Sequence, residues 1–199
     1  DDDRWTAFVA GTRMAFISVQ ADEAEYYTKI ESKQEQTKLA QGLPNVGDSS
    51  KSNKREAETV ARLIHTLCQL YSRSGIPFSP CKQIGIIVPF RAQIAMIRKA
   101  LAERHIPDTA DITIDTVERY QGSQRDIIIF STTVSRPYQL SILSEPVMTD
   151  GREIDRKLNV ALTRARKQFF MTGNETLLRN CTAYRKFLDF LSKEQILRL

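Results

Sequence analysis

Cysteine, histidine and glycine are scarce in this chain, at three, two and eight of its 199 residues. Cys68, Cys81 and Cys181 are odd in number and widely separated, which excludes a disulfide framework and suits a reducing compartment. His65 and Cys68 stand three apart, but no second pair of ligand residues lies near them, so they read as helix residues rather than a zinc site. With two distant histidines and no Gly-x-Ser-x-Gly elbow, no nucleophilic triad is visible. The lack of glycine also leaves few ways to cradle a phosphate. Gly42 to Ser49 has the glycine spacing of a P-loop, yet Asp48 stands where the phosphate-binding lysine is required, and its charge would repel the ligand. No apolar run is long enough to cross a bilayer. Asp1-Asp2-Asp3-Arg4 lacks the basic-then-apolar order of a secretory signal, so the chain is expected to be cytoplasmic, with no membrane partner.

What is present fits an ordinary α/β protein. The chain is 41% hydrophobic and 27% charged, enough to build a core and too apolar for disorder. A net charge of +5 leans weakly towards a polyanionic partner. Short, nearly continuous apolar runs at Met14–Val19, Ile84–Val88, Ile112–Ile114, Ile127–Phe130 and Phe169–Met171 read as strands buried on both faces. Between the first two, Ala57, Val60, Ala61, Ile64, Leu67, Cys68 and Tyr71 form one helical stripe. Asn53 with Glu56 resembles a capping box at its start, and Gly75 and Pro77 stop it. Further helices are expected after Pro89, around Leu158 and from about Ala183 to Leu191.

Alternating strands and helices imply a mainly parallel sheet flanked by helices, with ligands at the carboxyl ends of the strands. Residues 1–199 read as one domain carrying a polar insertion at about 20–52. Ser135 to Gly151 reads as a long loop, and such loops in compact domains are often functional.

Two stretches carry the chemistry. In Leu158-Asn-Val-Ala-Leu-Thr-Arg164-Ala-Arg166, the residues Ile154, Leu158, Ala161, Leu162 and Ala165 make an apolar stripe flanked by Arg156, Arg164, Arg166 and Lys167. By spacing alone this is a solvated basic face; an arginine on such a helix otherwise needs an anion. In Ile112 to Phe130, one strand runs into a polar turn at Gln121-Gly122 and out into another with almost no spacer. Gly122 would let the backbone turn tightly or approach a ligand.

Taken together, and in order, Ile84 to Gln93, Thr116 to Asp126 and Leu158 to Arg166 resemble motifs IV, V and VI of the second, carboxyl-terminal RecA-like domain of superfamily 1 DNA and RNA helicases. The subgroup is that of the nonsense-mediated-decay helicase. The resemblance implies a single RecA-like α/β domain that forms half of an ATP-dependent motor and hydrolyses nucleoside triphosphate only together with a first RecA-like domain. ATP and Mg2+ would be bound mainly by that missing domain, and this chain alone is expected to be inactive and monomeric.

The site residues implied by the likeness divide into two sets. Arg164 is the arginine finger, worth about 10³ to 10⁵ in rate where such fingers act. Gln121, Gly122 and Gln124 join it in nucleotide binding, with Gln124 standing where the family commonly has glutamate. Thr116, Pro89, Phe90 and Gln93 would face single-stranded DNA or RNA, Phe90 as a stacking surface or as a buried aromatic. One alternative stays open: an ATPase-inactive nucleic-acid-binding or assembly module. Another is an α/β domain for an unrelated phosphorylated ligand.

Overall fold

The structure is a computed structural model that describes residues 2–19, 51–120 and 123–199. The polar insertion and its P-loop-like segment lie almost wholly outside the described residues, as do Gln121 and Gly122. In chain order the main elements are α1 (Asp2–Gly11), β1 (Met14–Ser18), α2 (Lys54–Arg73), β2 (Ile84–Val88), α3 (Arg91–Glu103), β3 (Thr113–Thr116) and β4 (Arg125–Ser131). They continue with the hairpin β5 (Pro146–Thr149) and β6 (Arg152–Asp155), then α4 (Arg156–Thr163), β7 (Ala165–Gly173), α5 (Thr182–Phe190) and β8 (Ile196–Arg198).

Six strands pair in the order β3-β2-β4-β7-β1-β8, and every pairing is parallel. Alternation along β4 explains why its apolar run is continuous. Ile127 and Ile129 enter one core with Val60, Leu63, Ile64 and Leu67 of α2 and Ile97 of α3. Ile128 and Phe130 enter the other, with Leu158 and Ala161 of α4 and Tyr184 and Leu188 of α5. Successive strand side chains point to opposite faces, so a strand sandwiched between helices must be apolar at every position. The expected fold, a parallel sheet between two helical layers, is present.

Several expectations need correction. β3 and β4 are not adjacent in the sheet, because β2 lies between them. Residues 135–151 are not one loop but contain two short helical turns and β5. Ile154 lies in β6 and is partly exposed, outside the helical stripe assigned to it. The helix thought to carry Arg164 ends at Thr163, and Ala165 already begins β7.

Candidate nucleotide and nucleic-acid faces

Because all six strands run the same way, their amino ends share one edge of the sheet and their carboxyl ends the other. The sequence-derived site residues divide between these edges. Arg164 and Gln124 lie at the amino edge, just before β7 and β4, and not at the carboxyl ends where ligands were expected. Arg125 pairs with Ala165 there, and a register shift follows between Arg125 and Ile127.

Arg164 is the C-cap of α4, with φ −83° and ψ −18°. Its carbonyl accepts the backbone N–H of Arg125 at 3.0 Å, and its own N–H donates to the Ala161 carbonyl at 3.3 Å. The backbone is thus fixed from both sides. The guanidinium is not: its Nε is buried and without a hydrogen-bond partner. A buried N–H left unpaired costs about 1–3 kcal/mol. Gln124 is exposed, and its Oε1 accepts from Arg166 Nε at 3.4 Å.

The start of α4 is also anchored. Asp155 is its N-cap and accepts the Leu158 N–H at 2.7 Å. The other oxygen of Asp155 takes Ser144 Oγ at 2.6 Å and Glu145 N at 2.7 Å. Within that first turn, Lys157 pairs with Glu118 at 3.1 Å. Partial burial pushes the Glu118 carboxyl up, but hydrogen bonds from its own backbone, Lys157 and Thr116 outweigh this and hold it below its ordinary value. Asp155 was missed in the sequence, although an aspartate three residues before Leu158 carries the signature of an N-cap.

Two more residues at the amino edge gave no sequence signal. Tyr120 is buried with its hydroxyl unpartnered. A Cβ on Gly85 would collide with that hydroxyl, which is why β2 carries glycine there. Arg125 donates to Thr113 Oγ1 at 3.1 Å and to the Gln124 carbonyl at 2.9 Å, tying β3 to β4 across β2. Lys167 bonds Asp126 at 2.9 Å and holds that carboxyl below its usual range.

At the carboxyl edge, Pro89, Phe90, Gln93 and Thr116 follow or end β2 and β3. Thr116 and Pro89 are half-buried. Phe90 is buried, 6% exposed, which takes the second of its two readings. Gln93 is fully buried, its amide bonded to Asn53 and Ser131; its side chain faces inward rather than towards a strand of nucleic acid. Arg136, beyond the end of β4, has a buried Nε with no partner, and sequence reasoning missed it.

ATP and Mg2+ can be tested against these residues. Among the described residues no group of histidine, cysteine, aspartate or glutamate side chains is placed to hold a metal ion. Among the described residues the Arg164 side chain makes no hydrogen bond, and its Nε is buried.

The six-stranded parallel sheet between helices is RecA-like, and the chain is a superfamily 1 helicase-like, carboxyl-terminal domain. The family described as AAA domain matches residues 9–176, and the chain belongs to it. It is 32% identical to the Gallus gallus protein MOV-10, named as a helicase, over 155 residues, 71% of this chain and 15% of that one. Against the DNA polymerase alpha-associated DNA helicase A of Schizosaccharomyces pombe it is 28% identical over 159 residues, 79% of this chain and 21% of the relative. The DNA replication ATP-dependent helicase/nuclease DNA2 of Bos taurus is 31% identical over 139 residues, 69% and 12% of the two chains. The chain thus spans between about an eighth and a fifth of these relatives.

Proposed function

We propose that this domain is the second half of an ATP-dependent helicase or translocase, supplying the arginine finger from its amino edge and part of a single-strand track from its carboxyl edge. The reading rests on Arg164, whose backbone is bonded on both sides while its buried Nε has no partner. A γ-phosphate bound to a first RecA-like domain would complete it. As charge develops on the transferred phosphoryl group, a guanidinium already in place offsets it without reorganising. Gln124 would lie next to the nucleotide, able to donate and accept hydrogen bonds but without the charge of a glutamate. At the other edge Thr116, Pro89 and Arg136 would meet the phosphates and sugars of DNA or RNA, giving salt-sensitive, sequence-independent binding. Gln121 and Gly122 remain assigned to the nucleotide on the family resemblance alone.

The test is nucleic-acid-stimulated ATPase activity in a polypeptide that joins this chain to a first RecA-like domain. Arg164→Ala should lower turnover by about 10³-fold or more. Turnover within about threefold of the parent would remove Arg164 from the reaction. The assembly-module alternative would leave both proteins without stimulated hydrolysis.

A further inference from the structure

The sequence offers Phe90 as a stacking surface, and the fold buries it. Another aromatic stands at the next strand exit. Of the exposed large aromatics among the described residues, Tyr138 is 57% exposed and Phe190 76%. Phe190 ends α5 before the chain returns to the amino end of β1, where Gln195 Nε2 bonds the Met14 carbonyl at 2.9 Å. Tyr138 instead follows the end of β4, at the carboxyl edge. There β2 and β4 are adjacent, with Ile87 opposite Phe130, and Gln93 of α3 reaches Ser131 Oγ at 3.3 Å. The exits of β3, β2 and β4, followed by Thr116, Pro89 and the Arg136–Tyr138 turn, therefore succeed one another at a strand spacing of about 4.8 Å.

The backbone that carries Tyr138 is held from both sides. Pro137 before it has a fixed φ, and Gln139 after it is buried, its Oε1 accepting the N–H groups of Ser135 at 2.8 Å and Arg136 at 2.9 Å. The Tyr138 carbonyl accepts Ser141 Oγ at 2.8 Å, and Lys157 Nζ donates to the Ile142 carbonyl at 2.8 Å one turn later. A ring on a fixed backbone has little freedom left to lose on binding. The charge beside it is positive. Arg136 Nε is buried without a partner, and Lys54, Arg55 and Arg91 are exposed in the first turns of α2 and α3, where helix dipoles disfavour cations. Lys54 shares Glu58 at 3.6 Å. The nearer carboxylates are taken up: Asp115 accepts the Thr116 N–H at 2.8 Å, Glu118 pairs with Lys157 at 3.1 Å, Glu145 with Arg156 at 3.3 Å, and buried Glu56 receives Ser131 and Thr172. A presented aromatic in a cationic setting matches a polyanion that carries flat rings.

We propose that Tyr138 stacks on a base of single-stranded nucleic acid while Arg136 holds a phosphate beside it, so that the carboxyl edge grips bases as well as backbone. This rests on the single-strand track proposed for that edge and adds to it the contact that buried Phe90 does not make. Every base has a π-face, so a stacking tyrosine leaves binding indifferent to sequence. The ring face makes the contact, and the hydroxyl is not needed for it.

Fluorescence anisotropy with this chain at about 50 mM salt compares an oligothymidylate of about twelve nucleotides with an abasic oligomer of the same length, which keeps the phosphates and lacks the bases. Tyr138→Ala should weaken oligothymidylate binding by about 5- to 150-fold and leave binding of the abasic oligomer within about twofold of the parent. Tyr138→Phe should bind both as the parent does. Arg136→Gln should weaken both alike and lower the slope of log affinity against log salt by about 0.7. Equal oligothymidylate affinity in Tyr138→Ala and the parent would overturn the stack and leave the track standing, as expected if the ring served a protein segment instead. An equal loss on both oligomers in Tyr138→Ala would also overturn it, because the ring would then act through the fold. A parent that binds neither oligomer would remove the track itself, and the stack with it.

Discussion

The backbone N–H of Arg125 donates to the carbonyl of Arg164 at 3.0 Å, and this one bond separates what Arg164 does for the fold from what its side chain can do for a ligand. The main chain closes the amino edge between β4 and β7. The guanidinium is bonded to nothing among the described residues. Arg164→Ala keeps the backbone bond and removes the unpaired buried N–H, so the domain should be no less stable and should gain up to about 1–3 kcal/mol. Urea denaturation measures it. A loss above about 2 kcal/mol would mean that the side chain is structural, and the finger assignment would lose its basis.

Asp155 should behave in the opposite way. It caps α4 with one oxygen and holds Ser144 and Glu145 with the other, at 4% exposure. Removing the carboxylate leaves three donors short of an acceptor. An N-cap alone is worth about 1 kcal/mol, and buried unsatisfied groups add about 1–3 kcal/mol, so Asp155→Ala should destabilise the domain by roughly 2–4 kcal/mol. On the proposed function it should also reduce ATPase turnover more than it raises the KM for ATP, because Arg164 follows directly on α4. Equal stability in Asp155→Ala and the parent would show that α4 is held by its apolar face alone.

Much of this architecture was legible because burial on both sides leaves a plain mark. Ile127 to Phe130 must all be apolar, since two cores use alternate members. The α2 stripe and its Asn53 cap were equally open to reading. The end of α4 was not. Arg166 and Lys167, the second and third residues of β7, are exposed, and in sequence they cannot be told from a helical face. β8 is three residues long, with Leu197 its buried member, too short for any periodicity. The edge that Arg164 occupies was not legible for another reason. Which end of the sheet Arg164 reaches depends on strand order and direction, neither of which is encoded locally. Gln93 misled because a polar residue in the first turn of a helix is ordinarily solvated; here the backbone of Asn53, forty residues away, satisfies it.

The edge strand β8 gives a prediction in which pH does the work. Glu175, next to the end of β7, receives Arg198 Nε at 2.8 Å and Nη2 at 2.9 Å, while Arg179 lies 3.0 Å away. The Arg198 hydrogen bond is the largest cause holding the Glu175 carboxyl below its ordinary 4.5. A depressed carboxyl contributes stability that is present above 4.5 and disappears as pH falls through the folded-state value. Glu175→Gln should therefore be less stable than the parent at pH 7, and the two unfolding profiles should converge on acidification. The loss should be local as well as global. Among the described residues β8 pairs only with β1, through Ile196, Leu197 and Arg198, so amide exchange at Leu197 and Leu199 should rise most in the variant. A constant gap between the profiles from pH 7 to pH 3 would show that Glu175 supports β8 by shape and not by charge.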